Sequence, residues 1–323
     1  MDQRWLQQGL QAQLTRRSTL RGAGAVGLAG VLAARGAGIG AAQEATPAAV
    51  AYPEVVITAT DYEFDVPATI DGGWTLLTLV NEGEMDHHAF FLRYTGEDTI
   101  EELQAALETP DFGAVLAIST SIGGCPSVGA GGRASVAMNL APGQYILVCA
   151  IPDDEGTPHY MLGMQSMVEV GPRAGNALPA FADTKITLVD YGFEGQPAET
   201  AAGSTLWEVF NDGEQPHEMN VFRLAPGVPF DVAAEIFGVQ PGASPGASPS
   251  PMAMDMSSPE ASPAAMGPPF TVVAGAGPMS PGNTVWAVLD LEPGDYFSMC
   301  FIPDAESGAP HFSLGMIQPF TVV

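Results

Sequence analysis

The sequence has very little positive charge. Lysine and arginine together number 10, against 37 aspartate and glutamate residues, so the formal net charge at pH 7 is -27. Nucleic acids and anionic membrane surfaces attract basic proteins and repel acidic ones. The composition therefore argues against nucleic acid as a partner and is easier to reconcile with a cationic partner.

Charged residues of either sign are also scarce, at 15% of the chain, whereas glycine (38) and proline (28) are abundant. This composition is typical of a turn-rich β protein rather than a helical one. The apolar segments are short and rich in Val, Ile, Thr, Leu and aromatic residues, and Gly, Pro, Asn and Asp separate them. The pattern predicts an all-β fold built from β-sandwiches. A chain of 323 residues is long enough for two such domains.

The first 42 residues predict an export signal rather than a folded segment. The string TRRSTLR at 15–21 resembles a twin-arginine export motif, and a Gly/Ala-rich apolar stretch follows it. Gly40-Ala41-Ala42 offers a small-residue cleavage site. The alternative is a Sec-type signal or an uncleaved anchor that tethers the protein to the membrane. In either case we expect the protein on the periplasmic or cell-surface side.

One segment of the chain occurs twice. It reads CAIPDDEGTPHYMLGM at 149–164 and CFIPDAESGAPHFSLGM at 300–316. The upstream contexts also match, with NEGEMDHHAFFLR at 81–93 and NDGEQPHEMNVFR at 211–223. Self-similarity over this length indicates two tandem structural units.

The repeat sets the expected domain organisation. The first unit spans about 50–172, the second about 183–323, and a linker with glycine and proline covers 173–182. The Pro-, Ala-, Ser- and Met-rich stretch at 240–269 has no counterpart in the first unit and predicts a disordered insertion. Met252, Met254 and Met256 within it suit either Cu(I) capture by thioethers or simple compositional drift.

Short helices are expected at one place in each unit. Ile100, Leu103 and Leu107 recur with helical spacing and predict a helix over 97–108. A weaker pattern predicts its counterpart around Asp231 to Phe237.

Each unit carries histidine, cysteine, histidine and methionine in the same order. One thiolate, two imidazoles and a weak thioether are the donor set of a blue-copper site. The sequence therefore predicts one copper per unit and two per chain. The predicted ligands are His87, Cys149, His159 and Met164 in the first unit and His217, Cys300, His311 and Met316 in the second.

These residues resemble the cupredoxin (type 1 copper) family, such as plastocyanin, azurin and the type 1 domain of copper nitrite reductase. The resemblance covers both units and implies two Greek-key β-sandwiches that bind copper through the eight residues named above. One difference from small cupredoxins is the long ligand loop. Nine residues separate cysteine and histidine in the first unit, and ten in the second.

Several alternatives stay open at this point. His88 adjoins His87 and competes with it as the ligand, although the repeat has Glu218 at the matching position. A disulfide between Cys125 and Cys149 would abolish the first copper site, and one between Cys149 and Cys300 would abolish both. A cupredoxin-like fold without metal is the remaining structural alternative.

The histidine count argues against an enzyme. The chain has five histidines, and the two predicted sites use four of them. A trinuclear copper cluster needs several more, and only His88 remains. We therefore expect an electron carrier that acts with a redox partner protein. A periplasmic copper-binding or delivery protein and a metal-free interaction module are the alternatives, and a homo-oligomer stays open.

Overall fold

The computed structural model describes residues 52–94, 100–174, 182–239 and 268–323. Its first half forms eight strands in close succession. They are β1 (Glu54–Thr60), β2 (Glu63–Asp65), β3 (Thr69–Asn81), β4 (His87–Tyr94), β5 (Ser119–Val128), β6 (Arg133–Leu140), β7 (Gly143–Val148) and β8 (Gln165–Arg173). The predicted signal segment over 1–42 lies outside the described residues, as do most of the linker and nearly all of the predicted insertion.

The second half repeats this order of strands. They are β9 (Thr184–Val189), β10 (Gly192–Glu194), β11 (Glu199–Thr200), β12 (Gly203–Asn211), β13 (His217–Leu224), β14 (Phe270–Met279), β15 (Thr284–Leu291), β16 (Gly294–Met299) and β17 (Ile317–Val322). Strands β11 and β12 together correspond to the long β3. The start of β3 pairs with β8 in parallel, as β11 pairs with β17.

Two sheets run through both halves. The first sheet has the strand order β8-β7-β4-β5-β14-β13-β16-β17. The second has the order β2-β1-β3-β6-β15-β12-β9-β10. In each sheet the second half repeats the first in reverse order. The all-β class predicted from composition and strand pattern is confirmed, and both units are β-sandwiches.

The two units meet at what we call the seam, where β5 pairs with β14 and β6 pairs with β15. Both pairings are antiparallel, with Ile122 opposite Met279 in one and Val136 opposite Ala287 in the other. Ser121 adds two bonds across the seam, since its N–H donates to Ser280 Oγ and its hydroxyl to the Pro278 carbonyl. The shared sheets hold the two units as one fixed pair.

The core fills the space between the two sheets and is continuous across the seam. Leu77 and Leu79 of β3 are fully buried, and so are Trp207 and Val209 of β12. All four belong to one cluster that contains residues of both units. Their spacing of two residues is what a strand with one face inward requires. Burying a side chain of this size contributes roughly 1.5–3 kcal/mol.

Three α-helices lie among the described residues: α1 (Ile100–Ala106), α2 (Phe112–Ala117) and α3 (Phe230–Ile236). The sequence predicted α1 and α3, although residues 97–99 of the expected first helix lie outside the described part. It did not predict α2, whose first turn is capped by the Asp111 carboxylate accepting from the Ala114 N–H. No helix in the described part of the chain is both long and apolar enough to span a bilayer.

Candidate metal centres

The first histidine of each predicted donor set begins a strand, and an asparagine shapes the loop before it. In the first unit the Asn81 amide donates to the carbonyls of Met85 and Val128, both at 2.7 Å, and its oxygen accepts from the Gly83 N–H. Asn211 makes the matching three bonds in the second unit. The repeated Asn-x-Gly-Glu motif therefore fixes where β4 and β13 start.

An aspartate from the β1–β2 turn holds this histidine. Asp61 Oδ1 lies 3.1 Å from His87 Nε2, and Asp190 Oδ1 lies 2.8 Å from His217 Nε2. Since a carboxylate only accepts, Nε2 carries the proton and Nδ1 keeps its lone pair. A hydrogen bond of this kind orients the imidazole of a metal site.

Glycine is required beside this pair because nothing larger fits. A Cβ on Gly83 would lie 2.4 Å from Asp61 Oδ1, and one on Gly213 would lie 2.6 Å from Asp190 Oδ1. The motif glycine therefore lets the loop backbone pack directly against the aspartate–histidine pair.

The other predicted donors lie on a loop that closes on itself. Cys149 follows β7, its N–H donates to the Met164 carbonyl, and its own carbonyl accepts from the Tyr160 N–H. The Met164 N–H donates to the carbonyl of His159, which opens a 3₁₀ turn. Cys300, His311 and Met316 make the same bonds in the second unit. These bonds hold cysteine, histidine and methionine close together at one end of the sandwich.

The two loops differ in length only at their tips. The Asp153 N–H donates to the Thr157 carbonyl in the first unit, whereas the Asp304 N–H donates to the Ala309 carbonyl in the second. The extra residue of the second loop lies inside this tip turn. The backbone bonds around cysteine and histidine are therefore the same in both units.

Two histidines and one cysteine converge in each unit. The Nδ1 atoms of His87 and His159 lie 3.2 Å apart, and Cys149 Sγ lies 4.0 Å and 3.5 Å from them. The Nδ1 atoms of His217 and His311 lie 2.9 Å apart, and Cys300 Sγ lies 3.5 Å from His311 Nδ1. In each set all three donors lie within 4.8 Å of one another.

These spacings fit one shared metal ion. With metal–nitrogen bonds of about 2.0 Å and metal–sulfur bonds of about 2.3 Å, donors on one ion lie roughly 3–4 Å apart. Met164 and Met316, the thioether ligands predicted from the sequence, are fully buried in the same core cluster as the cysteines. Two imidazoles, one thiolate and a thioether suit copper better than zinc or a hard cation.

Burial sets the protonation of these groups in the absence of metal. It raises the pKa of the Cys149 thiol to about 12 and that of Cys300 well above its usual value. It lowers the pKa of His159 and of His311 to about 4. At neutral pH the metal-free sites thus hold a protonated thiol and neutral imidazoles. A metal must displace the thiol proton to bind.

A tyrosine covers the second histidine of each site. The ring of Tyr62 meets His159 edge-on at 5.1 Å, and the ring of Tyr191 meets His311 at 5.3 Å. Both tyrosines have a left-handed backbone, with φ of 70° and 69°. A non-glycine residue in this conformation is strained and often marks a functional position. One Asp-Tyr dipeptide thus holds one histidine and shields the other from water.

The structure separates His88 from the donor set. Its Nε2 accepts from the Ala150 N–H at 2.6 Å, on the side of β4 away from His87. Glu218 occupies the matching place in the second unit, where its carboxylate accepts from the Phe301 N–H. Ala150 and Phe301 directly follow the two cysteines. His88 and Glu218 are therefore positioned to support the cysteines from outside, and His87 takes the inward position.

The three cysteines are free thiols. Neither disulfide considered from the sequence, Cys125–Cys149 or Cys149–Cys300, is formed. Cys125 is fully buried, and its thiol approaches the Leu77 carbonyl at 3.6 Å. It packs in the core and has no place in the donor sets.

The residues that support the donors were not assigned any role from the sequence. Asp61 and Tyr62 match Asp190 and Tyr191 in the repeat, so the signal was present. A short Asp-Tyr pair between strands also suits an ordinary turn. Only the folded contacts show that it serves the histidines.

The metal-free protein should lose stability on mild acidification. Burial lowers the pKa of His88 to about 3 and of His159 and His311 to about 4. Below pH about 6.5 the unfolded chain protonates these histidines while the folded chain does not, so acid favours unfolding. Burial also raises the pKa of Glu218 to about 7, which opposes this loss in part. We expect the free energy of unfolding to be lower at pH 5 than at pH 7, because more buried histidines than buried carboxyl groups are shifted.

Urea unfolding of the metal-free protein at these two pH values measures the effect. A free energy of unfolding that stays level or rises toward pH 5 would show that the histidines are protonated in the folded state.

Comparisons with known proteins give remote similarities only. No protein-family model matches the chain, and no curated protein matches it either. Auracyanin from Roseiflexus castenholzii is 20% identical over 37% of this chain and 97% of its own, with a TM-score of 0.28. A multicopper oxidase is 14% identical over 84% of this chain and 88% of its own, with a TM-score of 0.23. A copper nitrite reductase from Nitrosomonas europaea is 13% identical over 84% of this chain and 93% of its own, with a TM-score of 0.23.

At these identities and TM-scores no property of those proteins transfers to this chain. The description of the fold and of the site rests on the strand pairings of the two sandwiches and on the two buried His-Cys-His sets.

Proposed function

We propose that this chain is a two-centre blue-copper protein that carries electrons. The observation that carries the proposal is the convergence of His87, Cys149 and His159, repeated by His217, Cys300 and His311. Each set is fully or almost fully buried, with every member at most 1% exposed. Copper bound there would supply a one-electron Cu(II)/Cu(I) couple.

The chain's own residues favour fast electron exchange over substrate chemistry. Asp61 fixes the ring of His87, and the backbone bonds of Cys149 fix the loop, so the donors have little freedom to rearrange. Tyr62 keeps water from His159. We propose that a thioether from Met164 completes the set, which would leave no open position for a substrate, unlike a catalytic metal site.

The remaining histidine does not extend either site. His88 is the one histidine outside the two sets, and its ring nitrogen already accepts from the Ala150 N–H. With no further imidazole in the chain, a cluster of three coppers has no ligands. We therefore propose an electron carrier and not an oxidase. We also propose that the protein is exported through its N-terminal segment and that it exchanges electrons with a redox partner protein.

Electrochemistry of the copper-loaded protein tests this function. We expect two reversible one-electron waves and no loss of copper to a chelator on the timescale of a redox cycle. A site built to deliver copper would release it readily in its reduced state, and a metal-free module would show no wave. Either of these results would contradict the carrier proposal.

The two centres should differ in potential because their supporting residues differ in charge. Glu218 lies beside Cys300, and its N–H donates to Cys300 Sγ, whereas the neutral His88 takes this place in the first unit. A carboxylate near the metal favours the more positive oxidation state. The second centre should therefore have the lower potential of the two. We expect Glu218→Gln at pH 8 to raise this potential by on the order of 60 mV, which is a tenfold change in the equilibrium constant of a one-electron couple.

The matched control is the exposed Glu214→Gln, which should leave both waves in place. If Glu218→Gln shifted both waves equally, the effect would come from net charge and not from its position.

A further inference from the structure

A cavity of about 190 Å³ crosses the seam beside the two ligand loops. Residues of both units line it. Ser127 of the first unit and Asn220 of the second meet there, with the Ser127 N–H donating to Asn220 Oδ1 at 3.3 Å. The cavity therefore exists only because the two sandwiches are joined.

Aromatic side chains form much of the cavity wall. Phe112 of α2 lines it from the first unit, and Phe237 and Phe301 line it from the second. Phe237 and Phe301 meet edge-on at 5.9 Å, so their positions are fixed by each other. Cavities with such walls hold apolar or cationic organic groups, because ring faces attract positive charge.

The only charged side chains among the lining residues of the cavity are acidic. Asp86 and Glu218 bring carboxyl groups to its lining, His88 brings an imidazole, and no lysine or arginine is among the lining residues. Glu218 is only 4% exposed. Its carboxylate accepts from the Phe301 N–H, but no lysine or arginine among the lining residues balances its charge, and a buried carboxylate without a cation is unfavourable. A positively charged ligand would therefore neutralise the carboxyl groups of the cavity.

Two features decide which cation fits. Within the described residues, only the two copper donor sets bring three metal-ligating atoms within 4.8 Å of one another, so Asp86, His88 and Glu218 do not form a metal cluster. The volume also exceeds the ~150 Å³ of a cavity that accepts benzene. An organic cation with an apolar body about the size of one ring matches both the space and the walls.

We infer that the seam cavity binds a small organic ammonium ion, with its charge on the side of Asp86 and Glu218 and its apolar body among the phenylalanine rings. This ligand class is compatible with the net charge of -27, which attracts cations to the whole molecule.

Calorimetry with benzylammonium and benzyl alcohol tests the inference, because the two have nearly the same shape and only the first is charged. We expect one benzylammonium per chain, bound at least about tenfold more tightly than benzyl alcohol. Asp86→Asn and Glu218→Gln should each weaken benzylammonium binding by about tenfold and leave benzyl alcohol unchanged. Glu214→Gln, an exposed carboxylate outside the cavity, should change neither.

Equal affinity for the two ligands would overturn the inference, and so would the absence of saturable binding up to about 10 mM. The comparison of ligands uses the unaltered protein, so it stands even if a variant fails to fold. Calorimetry of the metal-free protein makes the test independent of the copper proposal.

A second readout rests on the proposed function. Ala150 and Phe301 also line the cavity, and each directly follows a cysteine. Benzylammonium should therefore shift the visible bands of both copper centres. Binding by calorimetry without any shift would locate the ligand elsewhere and would also contradict the inference.

Discussion

Replacing Cys149 with serine should remove half of the intense visible absorption of the copper-loaded protein and lower the copper content from two ions to one. The band of a blue site arises from the thiolate-to-copper bond, and each unit has one thiolate in reach of two imidazoles. Cys300→Ser should remove the other half. The double variant should be colourless. Titration with Cu(II), followed by absorption and by metal analysis, measures all three.

Cys125→Ser is the matched control. Its thiol is as buried as the other two but lies outside both donor sets, so both bands should remain. If Cys149→Ser left the whole spectrum intact, the first unit would hold no blue site. If the unaltered protein showed no such band on titration with Cu(II), the carrier proposal would fail. A metal-free or non-blue role would then remain.

Asp61→Asn should weaken copper binding in the first unit by about 10–100-fold, the usual cost of losing a residue that orients a metal-bound histidine. Its carboxylate accepts from His87 Nε2 and also from the backbone N–H groups of Glu84 and Met85. Burial raises the pKa of Asp61, but these hydrogen bonds outweigh it and hold the pKa below its usual value. An asparagine can present its NH₂ group to Nε2, which disfavours the tautomer that leaves Nδ1 free.

Competition with a chelator of known affinity measures the two sites separately when the other is disabled by its cysteine variant. Asp190→Asn should act in the same way on the second site, because Asp190 holds His217 at 2.8 Å. Asp65→Asn changes an exposed carboxylate on the next strand and serves as the control. Equal copper affinity in Asp61→Asn and Asp65→Asn would show that His87 is oriented by the loop alone.

The donor residues could be found from the sequence because the repeat presented each of them twice in one order. The number of residues between cysteine and histidine differs by one between the two loops. The structure places the extra residue of the second loop in the turn at its tip. The strands were equally readable, since short runs of Val, Ile, Thr, Leu and aromatic residues are separated by Gly, Pro, Asn and Asp. Helix α2 was missed because its six residues are too short to show a helical period.

The joining of the two units through shared sheets could not be predicted from the sequence. Pairing between β5 and β14 depends on two edges meeting in space, and no local pattern in Ser119–Val128 distinguishes an edge that pairs from one that faces water. For the same reason the seam cavity was not foreseen. His88 and Glu218 looked like a mismatch within the repeat, and their shared role beside the cysteines appears only once the backbone is folded.

The seam also determines whether the two units can stay soluble when they are separated. Strands β5, β6, β14 and β15 each find a partner in the other half. If the chain were cut in the linker and the halves were made separately, each would expose two unpaired strand edges beside apolar side chains. Bare edges of this kind recruit further strands and lead to aggregation. The duplication therefore ties the solubility of each sandwich to the presence of its twin.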